Sequence, residues 1–139
     1  MGLHREELHI AGLEQLDVDE PVVMLNLMKF RDQSLDGDGS GWDAYQRYSR
    51  GVIGLLKVRG GTILWAGPVG SLAFGDLSDG DWDYVSLVLY PTPAAFIDMM
   101  QSEDYQAPNV HRENGTVRHS IIALSTDYSK FLGVHNRET

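Results

Sequence analysis

The segment VVMLNLMKF, residues 22–30, carries the clearest structural signal in the chain. Only Asn26 and Lys29 interrupt its apolar side chains, and its length between turn-rich flanks favours a β-strand over a helix. A strand with one face in water would alternate apolar and polar residues. The segment therefore predicts a strand that is covered on both faces.

The elements predicted around this strand follow the order β-α-β-β-α-β. Their ranges are a helix at 42–58, strands at 62–66 and 84–90, a short helix from Pro93 and a strand at 117–124. Thr92 directly before Pro93 is typical of a helix start. Within the long helix, Gly51 and Gly54 each cost about 1 kcal/mol relative to alanine, unless they allow close packing against the sheet. This order predicts an α+β fold of the split β-α-β, or ferredoxin-like, type.

The remaining segments have weaker patterns. Apolar residues spaced through 6–16 predict a short N-terminal helix. Residues 102–115 are expected to be irregular, or to add one helical turn that breaks near Pro108. The tail of residues 126–139 is expected to dock on the domain because it retains three large apolar residues, Tyr128, Phe131 and Leu132.

The second face of the predicted sheet is the reason to expect a homodimer. Two helices on one face of a four-stranded sheet leave the other face bare, and the strand patterns make that face too apolar for water. Packing it against a second copy of the chain would bury it in a symmetric interface. We therefore expect two sheets to pair as a dimeric α/β barrel.

Length and charge limit the possible functions. At 139 residues the chain is expected to form one domain, residues 1–139, with its core at 21–125. A net charge of −9 argues against nucleic acid and anionic membranes as partners. The chain contains no cysteine, which excludes disulfides and thiolate chemistry. We expect a cytoplasmic protein, because no secretory signal or membrane-spanning run is recognisable.

Five ordered segments resemble a known bacterial family. They are VVMLNLMKF (22–30), AYQRYSRGV (44–52), GGTILWAG (60–67), WDYVSLVLYPTPAAF (82–96) and EDYQAPNVHRENG (103–115). Together they resemble the family catalogued as domain of unknown function 1330, over roughly residues 21–124. The resemblance implies membership of the dimeric α/β-barrel superfamily, in which two ferredoxin-like sheets pair face to face. That superfamily includes cofactor-free monooxygenases, lactone isomerases and haem-degrading enzymes, so the resemblance does not assign a reaction.

Three polar residues are candidates for a site. Asn26 lies within the apolar strand, where its amide must bind a ligand or bond to neighbouring backbone. His111 could exchange protons near neutral pH, and Arg112 could hold a carboxylate. The alternative is that Arg112 pairs with a nearby acid and His111 lies on the surface.

Three aromatic residues are candidates for ligand contacts. Tyr45 and Tyr48 share a helix face, so their rings are expected in the core with hydroxyls reaching the edge of a pocket. Trp65 is expected to pack in its strand or to form a pocket wall. Because some haem-degrading relatives use an asparagine on the first strand with a tryptophan and a histidine, the set of Asn26, Trp65 and His111 leaves haem binding as a further alternative.

These residues support more than one hypothesis. In the first, a homodimer binds a small, partly apolar molecule, His111 moves a proton and Asn26 stabilises an oxyanion, with proton transfer or cofactor-free oxidation as the chemistry. In the second, the same pocket binds a metabolite without turnover. In the third, the polar residues are structural parts of a dimer. No cofactor or metal is expected.

Overall fold

Four antiparallel strands form one sheet in the computed structural model, which describes residues 7–131. The strands are β1 (Val22–Phe30), β2 (Thr62–Pro68), β3 (Tyr84–Tyr90) and β4 (Thr116–Leu124), and the helices are α1 (Ile10–Glu14), α2 (Gly41–Val58), α3 (Pro93–Gln101) and α4 (Gln106–Gly115). Short 3₁₀ helices cover Leu77–Gly80 and Glu103–Tyr105. The sheet order is β2-β3-β1-β4. The predicted α+β, ferredoxin-like fold is thereby confirmed, with a helix before the first strand.

The two faces of the sheet differ in what covers them. On β1, Met24 and Met28 are fully buried against α2 and α3, and Asn26 lies between them on the same face because strand side chains alternate. We call this the helix face. The opposite, or open, face carries large apolar side chains from all four strands: Val23, Leu25, Leu27, Trp65, Val85, Leu87, Leu89, Ile122 and Leu124. Every strand residue in the hydrophobic core cluster lies on the helix face.

Two glycines allow β1, α2 and α4 to meet at one point. The Arg31 amide donates to the Gly115 carbonyl at 2.8 Å, and the Gly41 amide donates to the Arg31 carbonyl at 3.0 Å. A Cβ atom on Gly41 would overlap the carbonyl oxygen of Arg31. Next to this point, Ser40 and Asp43 form a reciprocal capping box that fixes the first turn of α2.

The acidic connection before β3 is tied to one end of the open face. Asp81 accepts ion pairs from Lys29 at 2.9 Å and from Arg118 at 3.0 Å. The Arg118 guanidinium also lies over the Trp82 ring, 4.1 Å from its centroid. These contacts orient the connection and leave Trp82 half-buried beneath a cation.

The prediction for residues 102–115 is wrong, because the chain there forms α4. Pro108 is the third residue of this helix, where the missing N–H has no helical partner and costs no hydrogen bond. The helix packs against α2, and a Cβ on Gly51 would lie 2.9 Å from the Pro108 side chain. Gly51 therefore allows contact between two helices rather than with the sheet, whereas a Cβ on Gly54 would meet nothing within 4 Å.

The two ends of the described chain also depart from prediction. The helix predicted at 6–16 is wrong in extent: α1 has five residues, its interior contains Gly12, and His9 provides no side-chain cap. Residue 6 lies outside the described range. The side chains of Tyr128 and Phe131 are 60% and 63% exposed, so the described part of the tail does not bury them, and Leu132 lies outside this range. Within residues 7–131, no helix has the length and hydropathy needed to cross a bilayer.

Candidate functional site

A hydrogen bond between β1 and β4 holds the side chain of Asn26. Its Oδ1 lies 2.9 Å from Nε2 of His119, and its Nδ2 donates to the Met24 carbonyl at 3.2 Å. Both residues are on the helix face, since His119 pairs with Met28 in the strand register. The amide therefore has partners from the protein, and one of its two N–H groups remains without a partner among residues 7–131.

His119 is held in one neutral form. Arg112 Nη1 lies 3.3 Å from the ring Nδ1, and because a guanidinium only donates, Nδ1 accepts and Nε2 carries the proton given to Asn26. Burial and the charge of Arg112 lower the pKa of His119 to about 3. Both ring nitrogens are engaged, so at neutral pH this histidine orients Asn26 and does not exchange protons.

The chain of polar contacts continues to two buried tyrosines. Arg112 donates to Asn109 Oδ1 at 2.6 Å, and its guanidinium is near enough to the Tyr105 hydroxyl to oppose the rise that burial causes in the pKa of that phenol. That hydroxyl lies 2.9 Å from the hydroxyl of Tyr48. Burial raises the pKa of both phenols, so they remain protonated. The result is a partly buried series of polar groups, which we call the polar network, that runs from Asn26 through His119 and Arg112 to Tyr105 and Tyr48.

An inner cavity of about 380 Å³ lies between the helix face and helices α2 and α3. This volume is within the range of small-molecule sites. Most of its wall is apolar or aromatic, and Asn26 and Tyr48 bring one end of the polar network to it. Four hydroxyls on the wall form no hydrogen bond with any residue of the described chain: those of Tyr45, Ser49, Tyr84 and Ser86. Ser86 lies directly across from Asn26 in the sheet, so the two polar groups are neighbours.

A second cavity of about 660 Å³ lies on the other side of the network, beneath α1. Its wall includes Arg112, His119 and Tyr105, together with apolar side chains from α1 and the sheet. The network therefore forms a partition between two cavities. The inner cavity is the better candidate site, because both the sheet and the helices line it and four hydroxyls on its wall lack a partner within residues 7–131.

The structure brings together only part of the set expected from the sequence. Asn26, Tyr45 and Tyr48 line the inner cavity, whereas Arg112 faces the second cavity. His111 lies on α4, where its Nδ1 accepts from Arg47 Nε at 3.4 Å, and it lines neither cavity. Trp65 lies on the open face and is 46% exposed.

This placement bears on the haem alternative. Asn26 is on the helix face, Trp65 is on the opposite face and His111 is on a helix, so one subunit does not gather the three side chains around a common ligand. Residues 7–131 also contain no group of three or more histidine or acidic residues placed to hold a metal ion.

Sequence reasoning does not identify His119, Ser86 or Tyr105 as site residues. The strand alternation offers a signal for His119, since residues 119, 121 and 123 share one face of β4. The register between strands is needed to see that this histidine meets Asn26. Ser86 requires the same information, because a single serine in a strand carries no distinctive pattern.

Comparison with known proteins supports the fold. The sequence matches no protein-family model, and no curated protein matches it. It is similar to RPA0582, a protein of unknown function from Rhodopseudomonas palustris, with 28% identity and a TM-score of 0.75 over 84% of this chain and 90% of that one.

Two more distant solved structures share the architecture alone. One is a dimeric protein of unknown function with a ferredoxin-like fold from Bacteroides fragilis, at 9% identity and a TM-score of 0.51 over 79% of this chain and 100% of that one. The other is the hydroxynitrile lyase of Passiflora edulis, at 12% identity and a TM-score of 0.56 over 80% of this chain and 97% of that one.

Proposed function

We propose that the protein is a homodimer that binds a small, partly apolar molecule in the inner cavity. The observation that carries this proposal is a set of four hydroxyls on the wall of the cavity that have no partner in residues 7–131, those of Tyr45, Ser49, Tyr84 and Ser86. These hydroxyls are reached from the open cavity, so a ligand that binds there can form hydrogen bonds with them in place of water. A ligand with oxygen or nitrogen atoms and an apolar body would satisfy them and fill the space between them.

Binding without turnover is favoured over proton transfer by His111. That histidine lines neither cavity, and the histidine that does reach the polar network has both nitrogens engaged. The acid and base groups that a proton-transfer enzyme needs therefore do not converge on the inner cavity. Asn26 and Ser86 are placed to orient a ligand oxygen.

The homodimer is supported by the open face. The open face carries Leu25, Leu87 and Trp65 as cross-strand neighbours. No strand residue of the hydrophobic core cluster lies on this face. Trp65, Ile122 and Leu124 on this face are exposed and most of its other apolar side chains are half-buried. An apolar sheet face that nothing covers is typical of a protein interface. The Bacteroides fragilis protein with the same fold is dimeric. Membership of the family of unknown function 1330 and a cytoplasmic location remain parts of this proposal that rest on the sequence.

Native mass spectrometry of the freshly purified protein tests both parts. We expect a mass of two chains plus a small retained compound, compared with the 15.5 kDa of the denatured chain. Ser86→Leu fills the cavity and removes one hydroxyl, so it should lose the compound and remain a dimer. Ser125→Leu is the matched control at an exposed position and should keep it. A monomeric wild type, or retention by Ser86→Leu, would contradict the proposal.

A further inference from the structure

The charge of the inner cavity is opposite to that of the whole chain. The protein has 20 acidic and 11 basic residues, yet the described wall of this cavity contains no carboxylate. Its one permanently charged side chain is that of Arg50. Arg50 forms no hydrogen bond or ion pair with any residue of the range 7–131. An unpaired guanidinium at an otherwise uncharged cavity favours an anion there.

Arg50 belongs to a stripe of side chains at the mouth of the cavity. Trp42, Gln46 and Arg50 are four residues apart along α2, so they lie on one side of that helix, and all three line the cavity. Trp42 and Arg50 are exposed, which places this stripe where a ligand would enter. Gln46 adds amide donors next to the guanidinium, and these could also bind an oxygen anion.

The interior of the cavity is suited to an apolar body. Val88, Met99 and Ile121 line it, and burial keeps the nearby phenol of Tyr45 protonated by raising its pKa. A second charge could not be accommodated there at low cost, because no acidic or basic group of the described wall is available to pair with it. One anionic group at the mouth and a neutral, mostly hydrocarbon body inside match these surroundings.

We propose that the ligand is an apolar or aromatic carboxylate, bound with its carboxylate at Arg50 and its hydrocarbon body in the inner cavity. This inference rests on the proposed function and specifies the chemical class of the molecule. The planar guanidinium can donate two parallel hydrogen bonds to a carboxylate. Asn26 and Ser86 are then left to bind an oxygen or nitrogen substituent at the inner end.

Pairs of probes that have the same ring and differ only in charge test whether the charge of the ligand contributes to binding. Isothermal titration calorimetry would compare benzoate with benzamide, phenylacetate with phenylacetamide, and 2-naphthoate with 2-naphthamide. The protein is first freed of any retained compound by dialysis. For at least one pair we expect the carboxylate to bind about fivefold to tenfold more tightly than the amide at low salt, the range of one partly exposed charged hydrogen bond. That preference should shrink as salt is added.

Two arginine variants assign the preference to one side chain. Arg50→Gln should remove the preference for the carboxylate while keeping the affinity for the neutral amide. Arg47→Gln is the matched control, because Arg47 is on the same helix, contacts His111 and does not line the cavity. It should retain the preference. A Ser86→Leu variant that abolishes binding of both probes would place them in the inner cavity.

The possible failures are distinguishable. Equal binding of carboxylate and amide, or a preference that survives in Arg50→Gln, would overturn the inferred ligand class and leave the proposed cavity function intact. Binding of none of the six probes would overturn the inferred ligand class, whereas a wild-type protein without a retained compound in native mass spectrometry would overturn the proposed function. Loss of the preference in Arg47→Gln as well as in Arg50→Gln would show that the general charge of α2 is responsible, which also contradicts the assignment to Arg50.

Discussion

At the scale of single residues, the neutral state of His119 has a consequence for stability. Its pKa is about 3 in the folded chain and 6.5 as the reference value for an unfolded one. The unfolded state therefore binds more protons between these values, and folding stability falls as the pH falls below 6.5. The folding stability that the neutral histidine contributes is fully present above pH 6.5. From pH 7 to pH 5 we expect a loss of about 2 kcal/mol from this residue.

Urea unfolding at several pH values checks this expectation. His119→Gln removes the titration, so its unfolding free energy should change less between pH 7 and pH 5 than that of the wild type, by about 2 kcal/mol. Three aspartates also have lowered pKa values in the folded chain. A hydrogen bond from Ser34 lowers the pKa of Asp36, one from Ser40 lowers that of Asp43, and one from Lys29 lowers that of Asp81. Their effect on stability is lost below pH 4, outside this window. Equal pH dependence of the two proteins would contradict the neutral assignment.

The residue scale also shows what the sequence could predict of the site. The sequence could identify Asn26 as a candidate site residue, because an amide in an apolar strand is unfavourable without hydrogen-bond partners. It could not identify the partner, because His119 is 93 positions away and meets Asn26 only through the register of β1 and β4. Arg112 was predicted as a ligand group, but it donates to Asn109 and His119.

At the scale of elements, the glycines of α2 differ sharply in what their substitution should do. Gly54 is exposed in the helix interior and a Cβ there meets nothing within 4 Å. Gly54→Ala should therefore stabilise the protein by about 0.5–1 kcal/mol. Gly41 is in contact with the Arg31 backbone, so Gly41→Ala should destabilise it by more than about 1 kcal/mol.

Thermal unfolding of the two alanine variants and the wild type checks this pair of expectations. Because both substitutions add the same methyl group to the same helix, their helix propensities do not explain opposite signs. A stabilised Gly41→Ala variant would show that the contact between β1, α2 and α4 tolerates an added side chain. A destabilised Gly54→Ala variant would show that this position is covered in the folded protein.

The strands and α2 were predictable for local reasons, and α4 was not. Apolar runs bounded by turn residues gave β1 and β3 their correct limits, and the Thr92 cap is recognisable in sequence. In residues 106–115 the helix propensity is poor and a proline is present. Packing against α2 stabilises that helix, and long-range packing leaves no local pattern.

At the scale of the whole molecule, the open face makes a prediction about association. Leu87 is near the centre of this face, between Leu25 and Trp65 in the register. Leu87→Arg would place a charge within the proposed interface, so we expect it to convert a dimer into a monomer. Light scattering after size-exclusion chromatography measures this change.

The matched control for association is Val110→Arg. Val110 is 61% exposed on α4, on the other side of the sheet from the open face. This variant should remain dimeric, and both variants should retain the circular dichroism of the wild type. A Leu87→Arg protein that is folded and dimeric would exclude the open face as the interface.

The three tryptophans occupy three different surroundings, and this makes the protein a source of optical signals. Trp42 lies at the mouth of the inner cavity, Trp65 lies on the open face, and Trp82 lies beneath Arg118. Variants that keep one indole each would have emission spectra that report ligand entry at Trp42, association of subunits at Trp65, and the contact between the acidic connection and β4 at Trp82. Since the chain has no cysteine, one introduced thiol would also carry a dye at a single chosen position.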